Sequence, residues 1–154
     1  KYGGGAIYNH YGISISGNLH AAKVYVHEFG HLFLGLGDEY VEVGSSYNDM
    51  YPTNVEPWEA NLTTLTNFNK KWKDMLDKDT PVPTTYDPQN PKKLGAYEGG
   101  GYVSKGVYRP RYDCLMNTLS GNDFCPVHPG YQETNRFLYP INKKNVLLKV
   151  RFSV

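Results

Sequence analysis

HEFGHLFLGLGDEY, residues 27–40, is the stretch that says most about this chain. On an α-helix of about 3.6 residues per turn, His27 and His31 lie one turn apart on the same side, so both imidazoles can bind one metal ion. Glu28 points about 100° away from His27, which is unsuitable for a ligand but suitable for reaching a water on the metal. The stretch therefore predicts an active-site helix with a catalytic zinc site.

A catalytic zinc site needs a third protein ligand and one open position for water. Gly35 and Gly37 follow the predicted helix, and glycines let the backbone fold back toward the same ion. Asp38 is the predicted third ligand, and Glu39 is the alternative. Glu39 has a second candidate role, which is to hold the far nitrogen of a ligand imidazole.

These parts predict hydrolysis of an amide bond. Zinc lowers the pKa of a bound water, and Glu28 accepts its proton and later passes that proton to the leaving amine. Tyr108 is the candidate oxyanion donor, because a phenol is a usual partner for a carbonyl on zinc. Arg109, its neighbour, is expected to brace the loop through a carboxylate.

The composition limits the partners. The formal net charge is +1 and 20% of the residues are charged, which predicts no electrostatic partner such as nucleic acid or a membrane surface. No apolar run approaches the ~20 residues of a membrane span, so membrane insertion is not expected. With 154 residues and no internal repeats, the chain is predicted to form one domain.

Periodicity places the other elements. Alternating residues over 7–15 predict an extended strand or hairpin edge. A helix is predicted from Leu19 to about Leu34, with Asn18 as its N-cap. The residues expected to be buried on its apolar side are Val26, Phe29, Leu32 and Phe33. The remaining predicted elements are a helix at Asn67–Asp77, a short helix at 130–139 and a terminal strand at 146–154.

Several blocks beyond the histidine motif resemble one family. They are VEPWEANLTTL (55–65), KKWKDML (70–76), AYEGGGYVSKGVYRP (96–110) and CLM (114–116). In this order, and with the motif at 27–40, they resemble the bacterial IgA peptidase family of zinc metallopeptidases over residues 3–127. The resemblance implies a metzincin-like endopeptidase that acts on a protein or peptide, with a glycoprotein as one candidate substrate.

The resemblance also implies roles for particular residues. The zinc ligands and general base that it implies are His27, His31, Asp38 and Glu28. It places Met116 in a methionine turn beneath the metal. The general metzincin pattern puts a glycine and the third ligand seven and ten residues after the first histidine, whereas Gly35 and Asp38 fall eight and eleven residues after His27.

An extracytoplasmic bacterial location, whether secreted, cell-surface or periplasmic, follows from the same resemblance. In an oxidising compartment Cys114 and Cys125, which are separated by ten residues, are expected to form a disulfide. That bridge would fix the strand next to Met116.

The predicted fold class is α+β, as a metzincin-like catalytic domain over residues 1–154. Residues 1–37 would form an edge strand and the active-site helix, and residues 38–154 a lower subdomain. The edge strand near residues 3–8 is expected to pair with an extended peptide. Only 26 residues precede the motif, so the chain is expected to be the C-terminal portion of a longer catalytic region that lacks part of its N-terminal subdomain.

Two other functions stay open at this stage. One is a non-catalytic glycan- or peptide-binding module with a structural metal, which would have no need of Glu28 as a base. The other is a zinc amidase for a small substrate, which would favour a closed pocket over a groove along an edge strand.

Overall fold

The structure is a computed structural model that describes residues 3–17, 19–42, 44 and 50–127. It has a mixed α and β architecture. Its elements in chain order are strands β1 (Gly4–Ile7) and β2 (Tyr11–Ser14), helix α1 (Ala21–Leu34), 3-10 helices at Phe68–Lys70 and Lys73–Met75, and strands β3 (Tyr97–Gly100) and β4 (Val103–Arg109). The predicted N-cap at Asn18, the helix at 130–139 and the strand at 146–154 lie outside the described residues.

Strands β1 and β2 form an antiparallel hairpin, which confirms the extended segment predicted at 7–15. Gly4 lies opposite Ser14, and Ile7 lies opposite Tyr11. Helix α1 packs against both strands, and the Asn9 N–H in the hairpin turn donates to the Leu32 carbonyl at 2.9 Å. No other described strand pairs with β1, so within the described residues its second edge is open.

Helix α1 ends at Leu34 as predicted, because Gly35 adopts a left-handed conformation with φ of 61°. The N–H groups of Gly35 and Leu36 donate to the carbonyls of His31 and Gly30, each at 3.2 Å. A Cβ on Gly35 would also lie only 2.8 Å from the Trp58 ring. Both the backbone conformation and the available space therefore require glycine at this position.

The buried side of α1 differs from the prediction. Val26 is buried, but Phe33 is 69% exposed, and Phe29 stacks on Phe33 with ring centroids 5.0 Å apart. The core lies on the side of Gly30, where a Cβ would come within 2.8 Å of both Met116 and Phe124. Because of this close approach, the face of α1 that carries Val26 and Gly30 is buried, and Phe33 lies on the exposed face.

The helix predicted at Asn67–Asp77 is wrong, because the structure has two 3-10 turns there instead. Lys71 between them leaves helical geometry, with φ of −106° and ψ of −131°. The Trp72 indole is 1% exposed and donates to the Gly95 carbonyl at 2.6 Å. Anchoring of this ring in the core outweighs the helical spacing of the apolar residues.

Strands β3 and β4 form a second antiparallel pair with a register shift between Glu98 and Gly100. The turn that joins them is held against the chain that follows α1, through a parallel bridge between Val41 and Tyr102. Thr63 and Tyr108 exchange backbone hydrogen bonds of 3.1 and 2.8 Å. None of the helices within the described ranges is long and apolar enough to cross a membrane.

Candidate metal and catalytic site

Three predicted ligands converge beside α1, which carries two of them. His27 Nε2 and His31 Nε2 lie 3.1 Å apart, and Asp38 Oδ1 lies 3.1 Å from the first and 3.2 Å from the second. Ligand atoms in a tetrahedral zinc site, with metal–ligand distances near 2.0–2.1 Å, are separated by about 3.3 Å. The triangle of donor atoms therefore fits zinc coordination.

The Nδ1 atoms of both imidazoles are hydrogen-bonded on the side away from Asp38. His27 Nδ1–H donates to the Leu115 carbonyl at 2.9 Å, and His31 Nδ1–H donates to the Leu36 carbonyl at 2.6 Å. In the neutral form of an imidazole, which carries one N–H, this arrangement places the lone pair on Nε2 and directs it toward the other ligands. Asp38 Oδ1 is buried and accepts no conventional hydrogen bond from the described residues. Converging lone pairs of this kind are stabilised by a cation.

Asp38 is held in place from its other side. The Tyr102 hydroxyl donates to Asp38 Oδ2, and the Gly101 N–H donates to the Asp38 carbonyl at 2.8 Å. Burial raises the pKa of Asp38, but the two imidazoles and Tyr102 outweigh burial and hold that pKa well below its usual range. Burial lowers the pKa of His31, and Asp38 reverses this and raises it. The site therefore keeps a negative charge and attracts positive charge.

Glu28 lies beside this triangle with its carboxylate almost free of partners. It is 9% exposed, and its buried Oε2 accepts no hydrogen bond within the described part of the chain. Burial raises the pKa of the carboxyl, although the neighbouring imidazoles lower it. A Cβ on Gly4 of β1 would overlap the carboxylate, whereas a Cβ on Gly5 would meet nothing within 4 Å. Gly4 thus makes room for the carboxylate.

One open cavity of about 330 Å³ contains all of these groups. Its walls are β1, the end of α1 and a set of aromatic side chains. The aromatic residues that line it are Tyr8, Tyr40, Tyr51, Trp58 and Tyr102. The cavity therefore joins the candidate ligands to the open edge of β1.

The segment Cys114–Leu115–Met116 supports the site from below. Met116 is fully buried, and its sulfur lies under α1 at the point where Gly30 leaves space for it. Its carbonyl accepts the Glu39 N–H at 2.8 Å. Because the Leu115 carbonyl orients His27, this short segment fixes both a candidate ligand and the chain next to Asp38.

Glu39 points away from the imidazoles, so both roles considered for it are wrong. Its Oε1 accepts a hydrogen bond of 2.9 Å from the Asn61 side-chain amide. Its Oε2 accepts from Cys114 Sγ at 3.1 Å and from Cys125 Sγ at 3.7 Å. Burial raises the pKa of Glu39 to about 7. The imidazoles are held by backbone carbonyls instead.

The disulfide predicted between Cys114 and Cys125 is not formed, and both residues are buried free thiols. Each thiol is directed at the same oxygen of Glu39, and burial raises the pKa of both. The cysteines therefore act as hydrogen-bond donors inside the protein.

The structure does not bring Tyr108 to the site, so its role as oxyanion donor is corrected. Tyr108 lies on β4 and packs against the buried cluster of Phe68, Trp72 and Ala96. It is held there by its backbone pairing with Thr63, and it is absent from the residues that line the cavity. The tyrosines that line the cavity are Tyr8, Tyr40, Tyr51 and Tyr102.

Three residues that the sequence reasoning missed support the site. Tyr102 follows three glycines with positive φ, at 99, 100 and 101, and this turn was the available signal. Asn61 is buried and bonds both the N–H and the carbonyl of Gly37, at 2.8 and 2.9 Å. Glu59 lines the cavity beside Trp58. Asn61 and Glu59 lie in the block at 55–65 that resembles the family, but the block indicated no role for either residue.

Arg109 braces the same turn, but through backbone carbonyls rather than the carboxylate that was expected. Its Nη1 donates to the carbonyls of Glu98 and Gly99 at 3.0 and 2.7 Å. Its other guanidinium nitrogens donate to the Tyr112 carbonyl at 3.2 and 3.1 Å. Arg109 thereby connects the turn that carries Tyr102 to the segment at Tyr112.

A His–His–Asp donor set in an open cavity, beside a carboxylate whose Oε2 accepts no hydrogen bond from the described residues, defines a candidate metallohydrolase centre. The family model for IgA peptidase M64 matches residues 1–91 and 86–130 of the chain. The chain belongs to this family, and the resemblance seen in its sequence blocks is confirmed. No curated protein gave a significant match. Family membership supports peptidase activity on a protein or peptide substrate.

Proposed function

We propose that this protein is a zinc-dependent endopeptidase with His27, His31 and Asp38 as zinc ligands and Glu28 as general base. The observation that carries the proposal is the convergence of two imidazole Nε2 atoms and one buried carboxylate oxygen within 3.1–3.2 Å. The chemistry of these donors fits zinc, which takes imidazole and carboxylate ligands and keeps one position open in catalytic sites.

When bound, zinc supplies a Lewis acid for the scissile carbonyl and for the attacking water. Glu28 accepts the proton of that water and passes it to the leaving amine. Its raised pKa suits this exchange, because burial brings the carboxyl closer to the pH at which it must both take and release a proton. Gly4 keeps the carboxylate beside β1, where an extended substrate would lie.

The geometry supports Tyr40 as oxyanion donor in place of Tyr108. Tyr40 lines the cavity together with Glu28 and Asp38. Burial and the charge of Asp38 raise its pKa to about 12, so its hydroxyl keeps its proton and can donate to developing charge on the carbonyl oxygen. Tyr102 is less suited, because its hydroxyl donates to the proposed ligand Asp38, whereas the hydrogen bond of Tyr40 is with Tyr102.

A metzincin-like arrangement belongs to the same proposal. The buried sulfur of Met116 beneath Gly30 supports its assignment to a methionine turn. The open edge of β1 supports the binding of an extended peptide above the ligands, with residues 38–154 contributing the lower part of the cleft. An open groove of this kind favours an endopeptidase over an amidase for small substrates. The extracytoplasmic location stays a prediction from the family resemblance.

The deciding experiment compares the wild type with Glu28→Ala. Each protein is loaded with zinc, assayed for bound metal, and incubated with casein or immunoglobulin, with fragments followed by mass spectrometry. We expect about one zinc per chain in both proteins and cleavage at least about 100-fold slower in the variant. Full zinc binding with equally negligible cleavage in both proteins would rule out the peptidase and favour a binding module with a structural metal.

A further inference from the structure

The cavity contains a second carboxylate that the proposed mechanism does not use. Glu59 is 8% exposed and lines the same cavity as the candidate zinc ligands. A Cβ on Gly37 would lie 3.3 Å from Glu59 Cγ, so this side chain packs against the residue that precedes Asp38. A group bound at Glu59 would therefore lie close to the bond that is cleaved.

Only half of this carboxylate is satisfied by the protein. Oε1 accepts a hydrogen bond of 2.9 Å from the Tyr51 hydroxyl. Oε2 is buried and accepts no hydrogen bond from any described residue. Lys71 is the nearby cation, but its ammonium donates to the backbone carbonyls of Pro57 and Glu59, at 2.5 and 2.7 Å, and makes no ion pair with the carboxylate. A buried carboxylate oxygen without a partner is unfavourable until a donor or cation binds it.

Aromatic surface lies directly beside this carboxylate. Trp58 precedes Glu59 in the chain and packs on Tyr8, with ring centroids 5.3 Å apart. These two rings are 66% and 52% exposed, although both line the cavity. Exposed aromatic faces next to a carboxylate favour a long side chain with an apolar stem and a cationic end, through cation–π contact and a charge-assisted hydrogen bond.

We propose that Glu59, together with the Trp58 and Tyr8 rings, forms a substrate subsite that selects a lysine or arginine side chain near the scissile bond. The cationic end donates to Glu59 Oε2, and the aliphatic stem lies across the two rings. Glu59 acts as a specificity residue and takes no part in the proton transfers assigned to Glu28. This inference rests on the proposed peptidase function and adds the class of substrate residue that it accepts.

The test uses peptides in which one position at a time around the cleavage site is lysine, arginine, norleucine or glutamate. Norleucine keeps most of the lysine stem and lacks the charge. For the zinc-loaded wild type we expect kcat/KM to be on the order of tenfold higher for lysine or arginine than for norleucine at one position. Glutamate at that position should give the lowest value.

Two variants test whether the subsite causes the preference for a cationic residue, and a third variant is a control. Glu59→Gln keeps an oxygen that can accept from Tyr51, and we expect it to bring the lysine-to-norleucine ratio to within about twofold of one. Trp58→Leu should lower the ratio by about threefold, through loss of the ring. Glu42→Gln removes an exposed carboxylate and is the matched control, with the ratio of the wild type. Thermal melting checks that all variants are folded.

The outcomes separate this proposal from the peptidase proposal. Cleavage without any preference for a cationic residue, or a preference that Glu59→Gln leaves unchanged, overturns the subsite and leaves the peptidase standing. If no peptide is cleaved, the peptidase proposal fails, and calorimetric titration with the lysine and norleucine peptides then tests the subsite alone. Tighter binding of the lysine peptide that is lost in Glu59→Gln supports it, whereas equal affinities overturn it.

Discussion

The neighbouring residues Asp38 and Glu39 each belong to a cluster of three potential metal-binding side chains. The two clusters differ in how many hydrogen bonds their carboxylate oxygens accept from the protein. Asp38 joins His27 and His31 in the cavity, where its Oδ1 accepts no conventional hydrogen bond within the described chain. Glu39 joins Cys114 and Cys125 in the interior, where Asn61 and both thiols donate to it. The first cluster is suited to a cation, and the second is satisfied by hydrogen bonds within the protein.

The difference shows that adjacent carboxylates take their chemistry from their surroundings. The imidazoles and Tyr102 outweigh burial and lower the pKa of Asp38, whereas burial dominates at Glu39 and raises its pKa to about 7. Successive side chains along an extended segment point to opposite sides. Residues 38 and 39 therefore serve the site and the core respectively.

The strongest test of this comparison removes one member of each cluster. We expect His31→Ala to weaken zinc affinity by at least about 1000-fold, since a three-ligand site loses one of its two imidazoles. Cys114→Ala should retain about one zinc per chain. Competition with a chromophoric chelator measures both affinities. Retention of tight zinc binding in His31→Ala, or its loss in Cys114→Ala, would show that the metal binds at the cluster of Glu39, Cys114 and Cys125 instead.

A sharper test compares the effects of Asp38→Asn and Glu39→Ala on zinc affinity and on stability. Asp38→Asn should lower zinc affinity by about 100-fold or more, because the site loses its carboxylate ligand. Glu39→Ala should retain zinc and lower the free energy of unfolding by about 3 kcal/mol, because the Asn61 amide and the thiols lose their acceptor. Urea unfolding in the presence of a chelator gives stabilities free of the contribution of bound zinc.

Exposed Glu42→Ala is the control for Glu39→Ala, and it should change stability by less than about 0.5 kcal/mol. Loss of zinc from Glu39→Ala together with tight binding by Asp38→Asn would reverse the ligand assignment and restore Glu39 as the third ligand.

The smallest expected effect concerns the support of Asp38. Tyr102→Phe removes the hydroxyl that donates to Asp38 Oδ2, and we expect it to weaken zinc affinity by about tenfold, as for other groups that orient a ligand. Tyr108→Phe removes the same atom from a ring outside the cavity and should leave zinc affinity within about twofold of the wild type. Equal effects of the two changes would contradict the assignment of Tyr102 to the site.

The parts of the site that follow from local geometry were predictable. His27, Glu28 and His31 are related by helix periodicity, and the helix end at Gly35 follows from the preference of glycine for left-handed backbone. Asp38 was predicted from the same glycine break. The second helix failed because Trp72 is anchored to Gly95, a contact 23 residues away in sequence. Apolar spacing alone carries no information about such a contact.

The sequence by itself determined the helix that carries His27, Glu28 and His31, the return of the chain to an acidic residue after the glycines, and the family. These features depend on short-range periodicity and on the order of sequence blocks. The tertiary structure alone decided which of Asp38 and Glu39 faces the histidines, that the cysteines are hydrogen-bond donors, and that Tyr102 rather than Tyr108 supports the site. Each of these choices depends on which distant segment packs beside a side chain, and that packing sets the available partners and the exposure to water.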